Sequence, residues 1–156
     1  MKAALICLLV STIWITSCVG SSGTRTFSRS GLELQVPSDW IDSHGREESK
    51  QFGFRDASGQ IGFGVEKLPG QWDEYLSYER KSRAAGYKEE EIQKFGRFAG
   101  NGYRFLSTDK KDYSEAVFFA PSGELEGWFM IVSSNSKDSR LQDELLAVVN
   151  SLQKAK

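Results

Sequence analysis

Histidine occurs once in 156 residues, and cysteine and methionine twice each. With His44 alone available, a Ser-His-Asp triad has one possible base. It sits in the loop-like run Ser43-His44-Gly45-Arg46, and no serine stands in Gly-x-Ser-x-Gly. One histidine and two cysteines are also too few for a zinc site built on those ligands. Two cysteines close at most one bridge, which excludes a disulfide scaffold, and Cys7 lies in an apolar leader. An excess of one charge is missing as well: 20 Lys plus Arg against 21 Asp plus Glu leave a formal charge of -1. That balance excludes a protein that coats nucleic acid and a disordered acidic tail. No apolar run is long enough to span a bilayer. Residues 3–15, broken only by Ser11 and Thr12, cover about 20 Å as a helix, against roughly 30 Å of hydrocarbon.

What that run does resemble is an export signal: one positive charge at Lys2, a short apolar core, then small residues. The boundary Ile15-Thr16-Ser17-Cys18 resembles the lipobox of bacterial lipoproteins, an aliphatic residue and two small ones before the cysteine to be lipidated. Small side chains next to the bond suit the peptidase that cuts there. The resemblance implies that residues 1–17 are removed and that Cys18 carries two or three acyl chains. One chain binds a membrane marginally, whereas two or three hold it stably. After cleavage Cys18 is the only cysteine left, so it has no intrachain partner. Val19 follows in place of Asp, which by enterobacterial sorting points to the outer membrane, facing the periplasm, in a diderm host.

Residues 19–26, VGSSGTRT, lack apolar periodicity and read with Cys18 as a flexible tether. Residues 27–156 are then one domain, without internal repeats. Strict alternation in Leu32-Glu33-Leu34-Gln35-Val36 predicts a strand ended by Pro37. Residues 52–55 and 60–65 predict a hairpin through Asp56-Ala57-Ser58-Gly59, with Gly62 and Gly64 on one face, where another element could come close. Residues 71–85 predict a helix ended by Gly86. A weaker strand over 91–98 leads to Asn101-Gly102, read as a tight turn into Tyr103-Arg104-Phe105-Leu106. Residues 113–120 and 125–133 are apolar on both alternating faces and belong in the middle of a sheet. Leu141, Leu145, Val148 and Leu152 mark a closing helix over 139–153, with Ser139 and Gln142 placed for a capping box. Three strands, a helix, four strands and a helix make an α+β domain, an antiparallel sheet covered by helices.

The opening Gly31-Leu32-Glu33-Leu34-Gln35-Val36-Pro37-Ser38-Asp39-Trp40 resembles that of the PsbP-like superfamily, as does the ending Val148-Val149-Asn150-Ser151-Leu152. That superfamily includes extrinsic photosystem II subunits and many bacterial lipoproteins. The resemblance implies an α/β/α sandwich and a binding or assembly role. It carries no metal site onto this chain, because the middle offers no matching residues.

Chemistry-bearing patterns are sparse. Lys88-Glu89-Glu90-Glu91 reads as a solvated turn, Asp109-Lys110-Lys111-Asp112 as a charged loop, and Gly62-x-Gly64 lacks the third glycine of a dinucleotide fingerprint. The sequence implies no catalytic residue, metal or cofactor. Trp72, Tyr75 and Tyr78 form the candidate interaction surface, beside Pro69-Gly70. The expected function is that of a non-enzymatic, membrane-anchored envelope lipoprotein that binds or assembles with another envelope protein, and not with nucleic acid. A module binding a small molecule or lipid between sheet and helix is the alternative. A carboxylate-only hydrolase is a third, and would need two acids converging in a cleft.

Overall fold

The computed structural model describes residues 23–43, 52–109 and 111–156. The leader, the lipobox Ile15, Thr16, Ser17 and Cys18, residues 19–22 of the tether and the single histidine lie outside the described residues. The chain is a mixed α+β fold with two antiparallel sheets and two α-helices. The smaller sheet has the order β1 (Thr24–Arg29), β2 (Leu32–Pro37), β10 (Gln153–Lys154). The larger runs β3 (Ile41–Asp42), β4 (Phe52–Arg55), β5 (Ile61–Lys67), β9 (Trp128–Ser134), β8 (Glu115–Pro121), β7 (Phe98–Ser107), β6 (Tyr87–Phe95). Helix α1 is Trp72–Arg83, before Gly86 at φ +95°, and α2 is Ser139–Ser151.

The two doubly apolar segments, β8 and β9, do lie in the interior of the larger sheet, and their alternation sorts two cores. Val117, Phe119, Met130 and Val132 face α2 and the inner side of β2, whose Leu32, Leu34 and Val36 are fully buried. Ala116, Phe118 and Ile131 face the other way and pack with Phe105 and with Leu76, Trp72 and Tyr75 of α1. The Leu141, Leu145, Val148 and Leu152 stripe sits in the first core, as its spacing predicts.

Four expectations need correction. Thr24, Arg25 and Thr26 belong to β1, paired with Pro37, Val36 and Gln35, and not to the tether. They are exposed, and an edge strand with a wet face tolerates the polar composition that reads as linker. Asn101-Gly102 is not a turn. The β6–β7 hairpin closes through Gly96-Arg97, with Phe95 opposite Phe98 and Gly96 at φ +57°. Gly102 lies within β7 because β8 crowds it: a Cβ there would stand 2.8 Å from Phe119 Cα and overlap the Phe118 carbonyl oxygen. The run Lys88-Glu89-Glu90-Glu91 is part of the edge strand β6, with the ladder on one side only. Finally, Asp138 caps α2, its Oδ1 accepting from Arg140 N at 2.9 Å. Gln142 is spent elsewhere.

Candidate ligand-binding cleft

The side of the larger sheet that faces α2 changes character along its strands. Deep in the core it carries Val117 and Val132, and at the end where β8 starts and β9 stops it carries Glu115, Ser134 and, from β7, Arg104. Period-two alternation puts all five on one face. Helix α2 crosses above them, and its early turns leave a cavity of about 210 Å³. Phe95, Val117, Val132, Leu145 and Leu146 form its apolar walls, and Arg104, Glu115, Ser134, Gln142 and Asp143 its polar part. Leu146 stays 44% exposed at the rim, and Leu106, two residues beyond Arg104 on the same sheet face, 37%.

The polar part is internally connected. Arg104 Nε lies 2.9 Å from Glu115 Oε1, although its N–H is not aimed along that contact, and Arg104 Nη1 is 3.6 Å from Glu90 Oε2. The Tyr113 hydroxyl donates to Glu115 Oε2. Burial first, then that hydrogen bond and the charge of Glu115, push the Tyr113 phenol up to about 12. At neutral pH the phenol is protonated and donates to Glu115. Lys137 Nζ sits 5.2 Å from the centre of its ring. On the helix side Gln142 Nε2 donates to Ser134 Oγ at 2.8 Å and to the Ser136 carbonyl at 2.7 Å, tying the start of α2 to the end of β9. The arrangement orients a polar group at one end and offers dispersion contacts to an apolar body at the other.

The aromatic residues singled out by sequence lie elsewhere. Trp72 and Tyr75 stack on each other with centroids 5.8 Å apart, and both lean on Phe129, at 5.1 and 5.5 Å. They are half-buried between α1 and the sheet. Burial, then the charges of Glu79 and Glu66, raise the Tyr75 phenol to about 12. Tyr78 points away and is 69% exposed. The glycine face of β4 and β5 forms a shallow depression of about 200 Å³ flanked by Arg55, Glu66 and Ser133. Among the described residues no group of His, Cys, Asp or Glu is arranged to hold a metal ion, and no helix is long and apolar enough to cross a membrane.

Sequence reasoning passed over Arg104, Tyr113, Glu115 and Ser134, and read Gln142 only as a capping residue. The one signal available was Arg104 itself, a charge inside the otherwise apolar run Tyr103-Arg104-Phe105-Leu106. Its carboxylate partners come from β6 and β8, strands whose register no local pattern reveals.

No protein-family model matches the chain, and no curated protein matches it in sequence. Solved structures do resemble it. A protein of Bacteroides thetaiotaomicron VPI-5482 superposes with a TM-score of 0.52 at 15% identity over 86% of this chain. The chain spans about half of that protein, 49% of its length, and the likeness is one of fold. The Ran-binding protein Mog1p of Saccharomyces cerevisiae gives a TM-score of 0.48 at 10% identity, covering 86% of this chain and 96% of its own. A point mutant of protein Mog1 gives 0.49 at 10% identity, covering 85% and 96%.

Proposed function

We propose that the chain is an envelope lipoprotein held to a membrane through acylated Cys18. Its domain, of the PsbP-like α/β/α kind, is then a non-enzymatic binding module with the cleft beneath α2 as its ligand site. The run Ile15-Thr16-Ser17-Cys18 supports the anchor, and Val19 favours the outer membrane of a diderm host, on the periplasmic side. Helix α1 against one face of the larger sheet, and α2 with β2 against the other, support the sandwich.

The observation that carries the binding reading is the meeting of an apolar wall and a tied polar end within one cavity of about 210 Å³. Apolar walls supply affinity in proportion to the area they cover, about 25 cal/mol per Å², and a few fixed polar groups set orientation. A protein partner in the envelope would meet the aromatic trio mainly through Tyr78, since Trp72 and Tyr75 have their faces engaged.

Two measurements test this. Mass spectrometry of the mature protein from its host should find a diacylglyceryl thioether on Cys18; an unmodified thiol there ends the anchor reading. A set of small amphipathic fragments, followed by amide chemical shifts, should move resonances of Val117, Val132, Leu145 and Leu146 together. Shifts scattered over the surface, or none, would end the ligand-site reading.

A further inference from the structure

We infer that the cleft takes the acyl-chain end of a single-chain amphiphile drawn from the bilayer in which the chain is anchored. The inference rests on the reading of Cys18 as acylated and of the cleft as a binding site, and adds the class and the source of the ligand.

The first argument is where the chain emerges. Gly23 lies five residues after Cys18, at most about 18 Å of extended backbone. Its carbonyl accepts from Ser38 N at 2.7 Å, which pins that end of the chain beside Asp39 and Trp40. Asp39 and Trp40 in turn share a depression with the 56–60 turn and with Leu141 and Glu144 of α2. Gln142, Leu145 and Leu146 look into the cleft from the other flank of the same helical turns. The depression beside Asp39 and Trp40 and the cleft therefore lie on opposite flanks of the same turns of α2, a helix about 10 to 12 Å across.

The second argument is polarity along the cleft. Its polar groups, Arg104, Glu115 and Ser134, stand toward the sheet end of the 56–60 turn, the turn that shares a depression with Asp39 and Trp40, since Ser134 is paired with Ile61 just beyond it. Phe95 lies toward the opposite end of the sheet, next to the Gly96-Arg97 turn. An amphiphile entering from the bilayer would leave its head at the charged mouth and point its tail inward. Leu146 gives the mouth an apolar lip, and it is one of the four exposed large hydrophobics among the described residues.

The third argument is size. At about 30 Å³ for a water-sized group, 210 Å³ admits about seven heavy atoms. That matches the end of one chain.

The test uses the full acylated protein in phosphatidylcholine vesicles doped with lysophosphatidylcholine that bears a diazirine at the tip of its acyl chain. After illumination the label should map to peptides holding Phe95, Val132 and Leu145. Leu146→Glu, at a half-exposed position that folding tolerates, should cut that labelling by about tenfold, the loss of one apolar contact. Glu74→Ala, on the exposed side of α1, should leave it unchanged. Val132→Phe, accepted only if its unfolding transition remains cooperative, should reduce it as well.

Label spread over the surface and indifferent to Leu146→Glu would overturn the inference. So would a six-carbon diazirine alcohol that labels the cleft equally well from solution without vesicles, since the ligand would then be a soluble molecule. That second outcome leaves the binding module standing. A free thiol on Cys18 in the same sample would instead bring down the anchor.

Discussion

Replacing Gly102 by alanine inserts one methyl group where strand β7 runs closest to β8. The added Cβ would overlap the Phe118 carbonyl oxygen and lie 2.8 Å from Phe119 Cα and 2.9 Å from Phe119 Cδ2. Two of those atoms are backbone, in a strand whose side chains are locked into both cores: Phe118 is 3% and Phe119 0% exposed. Neither a rotamer change nor a small strand shift relieves the overlap without opening one of the cores. Overpacking of this kind costs about 1 to 3 kcal/mol where neighbours can give, and here the upper figure applies. For a domain of this size, about 3 kcal/mol lowers Tm by roughly 10 to 15 °C. Gly70→Ala is the matched control, since a Cβ there meets nothing within 4 Å and its φ is not in the left-handed region. It should leave stability within about 0.5 kcal/mol or raise it slightly. Urea and thermal unfolding of both variants, followed by circular dichroism, give the comparison. A Gly102→Ala protein within about 1 kcal/mol of its parent would refute the packing of β7 on β8.

Other perturbations test other parts. Asp56 is buried, which disfavours its charge, but the Ser58 hydroxyl and the amides of Ile61, Ser58 and Gln60 outweigh that and hold its carboxyl below the usual 3.8. Its contribution is present above the unfolded-state value and lost as pH falls through the lower folded one. Asp56→Ala should therefore cost about 2 kcal/mol at pH 7, with the gap to the parent closing below about pH 3.8 in denaturant titrations. Of the five tyrosines, Tyr75 and Tyr113 should ionise only near 12 in an ultraviolet titration, and Glu115→Gln should lower the Tyr113 value by removing the adjacent negative charge. An unmoved Tyr113 would sever the proposed link to Glu115. Leu145→Ala, at a position 5% exposed, should cost about 2 to 4 kcal/mol. Leu146→Ala, next to it but 44% exposed, should cost under about 1 kcal/mol. Equal costs for the two would contradict the orientation of α2.

Where burial writes a period into the chain, the fold was legible. Leu32, Leu34 and Val36 alternate because only one face of β2 is covered, and the closing helix shows its stripe because only one side meets the sheets. β3 and β10 have two residues each, too few for any period, and β1 presents mostly exposed polar residues. The misplaced turn has a physical cause too. Glycine serves both tight turns and close strand contacts, and Asn101-Gly102 next to an apolar run cannot be told from the first use until the position of β8 is known. The cleft was harder still to read. It is assembled from β6, β7, β8, β9 and α2, and its key residues are single polar side chains in unremarkable local contexts. Gln142 was noticed, but for a capping role that Asp138 fills.

Strand β6 closes one edge of the larger sheet with nine residues, six of them open to water. An unpaired ladder of that length invites another strand, and the more crowded the copies, the more often two such rims meet. Glu89, Glu90 and Glu91 stand along it, and Arg80 and Arg104 hold the first two in place from opposite sides of the sheet. A fence of like charge on the exposed rim keeps neighbours from zipping edge to edge. The acidic run has no need of a ligand to account for it: it lets crowded copies stay a population of separate molecules.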